Sequence, residues 1–177
     1  MYKEFEKLVL TRQSCRNFSD KPIEKQTLDK IMQLSMLCPS ACNSQPWKMV
    51  CALSDDSVDN VRKNLQIAGR NTFLNGAKAF IAVVEKVATL KADVQSKFDR
   101  NRFVKYDVGE LIAYITLTAQ SLGVSSCIIG WMNEEELSKT LGLYQDEICR
   151  VVIALGYSDI ATREKTRKDK DQIIKYI

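Results

Sequence analysis

The chain has 177 residues and no histidine. That absence removes the side chain on which most acid–base relays, most catalytic zinc sites and most serine or cysteine nucleophiles depend, and it argues against the usual hydrolases. Glycine is sparse, and its 7 residues form neither a GxGxxG turn nor a GxxxxGK[ST] loop. A bound nucleotide therefore needs other phosphate donors. No CxxC pair occurs among the cysteines at 15, 38, 42, 51, 127 and 149, and without a secretion signal they are expected to be reduced and mostly buried. Long apolar runs are missing too: residues 79–84 and 151–155 fall far short of the ~18 needed to cross a membrane. Charged Lys3, Glu4, Glu6 and Lys7 stand where a signal peptide carries its apolar core, so a cytoplasmic location is expected. The net charge of +4 is too modest and too dispersed for a nucleic-acid binder, although it helps attract a small anion.

What is present is ordinary globular material, 45% hydrophobic and 27% charged, in a length that suits one domain over residues 1–177. Residues 2–11 place Phe5, Leu8 and Val9 on one helical face, and a second helix from Glu24 aligns Leu28, Ile31, Met32 and Ser35. Residues 47–53 form a strand, followed by a helix that starts at Ser54 and carries Val58, Val61, Leu65 and Ala68. Residues 79–84 are a central strand, and 91–106 form a lid or a helical excursion with no clean period. Residues 108–122 are the core helix, with Gly123 as its left-handed stop. A strand over 124–129, a short helix capped by Asn133 with Glu136, and a last strand over 149–155 complete the pattern. Helices alternating with single buried strands give an α/β or α+β layer sandwich.

Three polar clusters are the candidates for chemistry. In an extended segment Arg12, Ser14 and Arg16 project from one side and can surround a phosphate, although arginines after a helix also suit its negative C-terminal end. The turn Pro39-Ser40-Ala41-Cys42-Asn43-Ser44-Gln45-Pro46-Trp47 offers groups that both donate and accept, as an imide edge requires, or it caps its own backbone between helix and strand. Lys165 and Arg167 lie in a mixed-charge run with Arg163, Lys168 and Lys170 that reads as a solvated face. Cys38 and Cys42 have the wrong spacing for a metal, and Asp107 with Glu110 reads as helix N-terminal charge.

Taken in order, these clusters resemble the FMN-dependent nitroreductase family. The 39–47 turn is similar to its PSxxNxQPW motif, and Arg12-Gln13-Ser14-Cys15-Arg16-Asn17-Phe18 is similar to its RxSxRxF motif. Gly123, Cys127-Ile128-Ile129-Gly130, residues 151–156 and Lys165-Thr166-Arg167 continue the likeness along nearly the whole chain. The resemblance implies a three-layer α-β-α sandwich of the α+β class, and an intertwined homodimer with FMN in the subunit interface. It implies that Arg12, Gln13, Ser14, Lys165 and Arg167 serve the phosphate and ribityl chain, and that Arg16 lies at the pyrimidine edge. Pro39, Ser40, Ala41 and Asn43 would come from the other subunit, and Ile129 and Gly130 would bring backbone groups to the reactive nitrogen, with Gln45 and Trp47 structural.

The function so implied is hydride transfer from NADH or NADPH through FMN to a nitroaromatic, quinone or similar small acceptor, by a ping-pong mechanism. Such chemistry needs no histidine, because the flavin carries the electrons and the protein positions it. The alternatives are a flavin- or anion-binding module without turnover, a flavin-consuming or dehalogenating member of the same fold, and a basic interaction domain using residues 163–170.

Overall fold

The alternating apolar pattern resolves, in a computed structural model that describes residues 1–177, into six helices and four strands. In chain order these are α1 (Tyr2–Thr11), α2 (Lys25–Ser35), β1 (Trp47–Ala52), α3 (Asp55–Leu65), β2 (Ala79–Glu85), α4 (Ala92–Gln95), α5 (Val104–Ser121), β3 (Ser125–Ile129), α6 (Glu134–Thr140) and β4 (Ile148–Gly156). Strand β2 is buried at every position, which requires partners on both edges and layers on both faces. It has them: the sheet order is β1-β2-β4-β3, and every neighbouring pair is antiparallel. An all-antiparallel sheet makes the class α+β rather than α/β.

Side-chain alternation along the two central strands divides the interior into two cores. Ala79, Ile81 and Val83 of β2 with Ile153 and Leu155 of β4 face α2 and α5, against Leu28, Ile31, Leu111 and Ile115. Phe80 and Ala82 with Val152 and Ala154 face the other way, toward Val58, Val61 and Leu65 of α3 and Leu137 of α6. The sheet is thus the middle of three layers. Each fully buried Leu or Ile contributes roughly 1.5–3 kcal/mol, so both faces are strongly held.

Local signals set the element ends. The Ser54 hydroxyl accepts from the Ser57 amide to open α3, and the Asn133 side chain accepts from the Glu136 amide to open α6. At the end of α5, Gly123 has φ +73°, and the amides of Val124 and Gly123 donate to the carbonyls of Ala119 and Gln120, closing the helix. Two boundaries differ from the sequence expectation. Helix α5 begins at Val104, four residues early, because Val104 continues the buried stripe of Val108, Leu111 and Ile115. Helix α3 stops at Leu65, and Ala68 lies beyond it at φ +51°, because the Gln66 side-chain amide gathers Asn71 and Asn75 into a turn. Of residues 91–106, the first part forms the short α4 and a turn in which Phe98 and Phe103 meet edge to face, and 104–106 are already the start of α5.

Helix α1, like the short α4, escapes this burial. None of its residues is buried, and Phe5, Val9 and Leu10 face solvent beside the exposed Tyr114 of α5. Phe5 and Leu8 line an apolar groove with Tyr114 and Leu117. No helix is long and apolar enough to cross a membrane.

Candidate functional site

The segment after α1 is fixed to the sheet by three contacts. The Cys15 amide donates to the Ser126 carbonyl at 2.9 Å, making a one-residue parallel bridge beside β3. The Ser19 amide donates to the Tyr157 carbonyl at 2.8 Å. Between them Phe18 is buried against two glycines that have no room for a side chain. A Cβ at Gly156 would lie 2.7 Å from the Phe18 ring, and one at Gly76 would lie 2.9 Å from the Phe18 carbonyl oxygen. With Cys15 and Phe18 turned into the core, Arg12, Ser14 and Arg16 are left on the open side.

Gln13 then brings the C-terminal tail to this segment. Its side-chain amide donates to the Ala161 carbonyl at 3.2 Å, and its Oε1 accepts from the Arg163 amide at 3.0 Å. The Arg163 guanidinium donates to the Ser14 carbonyl at 2.9 Å, and the Lys165 ammonium donates to the Val9 carbonyl at the end of α1. The tail was expected as a solvated face; its first part is instead folded back. The result is a pocket of about 300 Å³ with no hydrophobic lining residue, where Arg12, Arg16, Arg163, Lys165 and Arg167 meet Ser14, Gln13 and a single acid, Glu164. Arg12, Lys165 and Arg167 also line an adjoining groove of about 420 Å³, walled by Gly109, Ile112, Ala113 and Thr116 of α5 and by Ile128 of β3. A cationic end running into an apolar groove suits a molecule with an anionic head and an apolar body.

The Arg12 guanidinium identifies the anion position. Its Nε and Nη2 are buried and have no hydrogen-bond partner, which a protein tolerates at a cost. Burial pushes its pKa down, and burial together with the charges of Arg167 and Arg12 pushes Lys165 down as well. An anion would relieve both effects. The donor set therefore fits the phosphate of FMN.

The second sequence cluster lies elsewhere. The Ala41 amide donates to Asp107 Oδ1 at 3.1 Å, the Gln45 amide to the Ser40 hydroxyl at 2.9 Å, and the Thr89 amide to the Ser44 hydroxyl at 2.7 Å. Cys42, Asn43 and Gln45 all have positive φ, a strained turn that these bonds hold in place. Asp107 is the acid in the first turn of α5, as the sequence suggested, but it is only 5% exposed, and its Oδ2 has no partner. None of Pro39, Ser40, Ala41 and Asn43 lines either pocket containing Arg12. Ile129 pairs with Val152 at the end of β3 with its side chain buried, and Gly130 beyond it is open.

Six of the twelve expected residues thus converge within one chain: Arg12, Gln13, Ser14, Arg16, Lys165 and Arg167. Arg163, Gly109 and Thr116 were missed.

A three-layer α+β fold thus carries, beside its third strand, a basic pocket whose donors suit an anion. The sequence model of the nitroreductase family matches residues 9–157, and the chain belongs to that family. Lys165 and Arg167 lie beyond the matched residues. Among relatives, a protein of Archaeoglobus fulgidus provisionally assigned as an NADH dehydrogenase/NAD(P)H nitroreductase is 30% identical over 85% of this chain and 83% of its own. The FMN reductase [NAD(P)H] of Bacillus subtilis is 23% identical over 94% of this chain and 71% of its own. The crystal structure of a nitroreductase family protein from Streptococcus pneumoniae superposes with a TM-score of 0.82 at 18% identity, covering 98% of this chain and 100% of the other.

Proposed function

We propose that the protein is an FMN-dependent oxidoreductase that uses NADH or NADPH to reduce a nitroaromatic, quinone or similar small acceptor. The observation that carries this reading is the pair of buried, unpartnered guanidinium nitrogens of Arg12 in an all-polar pocket that adjoins an apolar groove. When bound, FMN supplies the redox chemistry, accepting hydride from the nucleotide and passing it on.

The residues of the chain bind and orient. Arg12, Ser14, Lys165 and Arg167 hold the phosphate and ribityl end, and Gln13 acts through the tail that it pins. Arg16 would lie at the pyrimidine edge, where a fixed cation favours negative charge on the ring. The backbone of Ile129 and Gly130 would lie beside the reactive nitrogen, and the open space at Gly130 would leave that approach clear. Protons come from solvent.

The site is completed by a homodimer. The uncovered apolar faces of α1 and α5 supply the contact, and the Pro39, Ser40, Ala41 and Asn43 turn of a second copy closes over the flavin. A cytoplasmic location fits cysteines that are all unpaired. Reductant and acceptor use one pocket in turn, so initial rates with both varied give parallel double-reciprocal lines. Intersecting lines would overturn the shared pocket.

A further inference from the structure

The loop between α3 and β2 places a second arginine where the flavin reading needs none. The Arg70 guanidinium lies over the Trp131 ring, 4.8 Å from its centroid, with both side chains at the surface. The Arg70 backbone amide donates to the Ile67 carbonyl at 3.1 Å, but its guanidinium has no hydrogen-bond or ion-pair partner within the chain and is absent from the pocket around Arg12. The stack is held from both sides. Asn71, at φ +58°, donates from its side-chain amide to the Leu65 carbonyl at 2.9 Å and to the Trp131 carbonyl at 3.3 Å. Gln66 donates to the Asn71 carbonyl and to Asn75 Oδ1, closing the loop beneath. Phe73 of the same loop lies under Arg16, 5.9 Å from its guanidinium carbon.

We propose that Arg70, held over the Trp131 ring, binds a phosphate group of the nicotinamide dinucleotide reductant. The inference rests on the NAD(P)H-dependent flavin reading. A guanidinium stacked on an indole keeps its N–H edge free, and with no acid beside it that edge suits bidentate contact with phosphate. Trp131 directly follows Gly130, so the pair stands next in the chain to the backbone assigned to the reactive nitrogen. A dinucleotide with its nicotinamide there must carry its phosphates outward across the rim. Quinones and nitroaromatics carry no phosphate, so the contact serves the reductant and not the acceptor.

The test uses FMN-loaded protein and the exposed substitution Arg70→Gln. Two readouts are taken: kcat/KM for NADPH and for NADH, and calorimetric binding of 2′,5′-ADP and of ADP. The expected result is a fall of about ten-fold in kcat/KM, carried by KM, with matching weakening of ADP-type binding, the loss of one charge-assisted contact. FMN content stays at the wild-type value. Loss confined to NADPH and 2′,5′-ADP assigns the 2′-phosphate; equal loss with all four assigns the pyrophosphate. Trp131→Phe retains the ring and most of the effect, whereas Trp131→Leu reproduces Arg70→Gln. Nucleotide kinetics and binding of Arg70→Gln within twofold of wild type would overturn the proposal. Failure of the wild-type protein to bind FMN would instead overturn the flavin reading beneath it.

Discussion

Replacing Arg12 with alanine separates what a buried cation costs the empty protein from what it contributes to ligand binding. Two of its nitrogens are buried and unpaired. An unsatisfied buried group costs roughly 1–3 kcal/mol, which offsets the packing lost with the side chain, so ligand-free Arg12→Ala should stay within about 1 kcal/mol of wild type. Binding shows the opposite sign. Two charge-assisted hydrogen bonds to a phosphate, each worth roughly 1.5–3 kcal/mol, set an upper range of about 3–6 kcal/mol. Lys165 and Arg167 remain to share the anion, so the lower end applies, about a hundred-fold in Kd. A fluorescence-quenching titration with FMN reads the affinity, and melting with and without FMN reads both terms together. Arg12→Lys keeps the charge but loses the fork, and should fall between. An Arg12→Ala variant that binds FMN within about three-fold of wild type, or whose ligand-free form is destabilised by several kcal/mol, would refute the reasoning.

Gly156→Ala drives a Cβ to 2.7 Å from the Phe18 ring, and overpacking of this kind typically costs about 1–3 kcal/mol. Urea denaturation should show that loss, and Phe18→Leu should relieve part of it. The Glu147 carboxylate, 2% exposed, accepts from Lys48 at 2.6 Å and from the Tyr144 amide, and the Lys48 bond holds its pKa below the ordinary 4.5. Its stabilisation is present above 4.5 and disappears as pH falls through the lowered value, so Glu147→Gln should flatten the acid limb of the stability profile. Burial pushes the Cys149 thiol up to about 12 and those of Cys38 and Cys51 up to about 11. At pH 8 a thiol-disulfide reagent should leave these three unmodified in the native protein and titrate all 6 after unfolding.

Much of the fold is written in local pattern. The uninterrupted apolar residues 79–84 read as a strand buried on both faces, and β2 is that strand. The stripe of Leu111, Ile115 and Ala119 reads as a core helix, and Gly123 stops it as expected. Strand direction was not legible, because antiparallel pairing of β1 with β2 and of β2 with β4 depends on contacts between residues far apart in sequence. In the site, the alternation of Arg12, Ser14 and Arg16 survives as a shared side of one segment. The tail shows where local pattern fails. Lys165 and Arg167 belong to a run of mixed charge, and only the bonds from Gln13 to Ala161 and Arg163 reveal that it folds back. Asp107 was legible in part: it is the acid in the first turn of α5, as read, but such an acid suits the dipole whether exposed or buried, and only the Ala41 amide opposite shows its further use.

The central claim is that the pocket at Arg12 holds a flavin that nicotinamide nucleotides reduce. The most direct measurement is the visible absorption spectrum of the purified protein after reconstitution with FMN and desalting, repeated anaerobically after addition of NADH or NADPH. The account predicts a retained flavin spectrum that the nucleotide bleaches and that a quinone or nitroaromatic restores. Loss of the chromophore on desalting, or a retained chromophore that neither nucleotide bleaches, would contradict it.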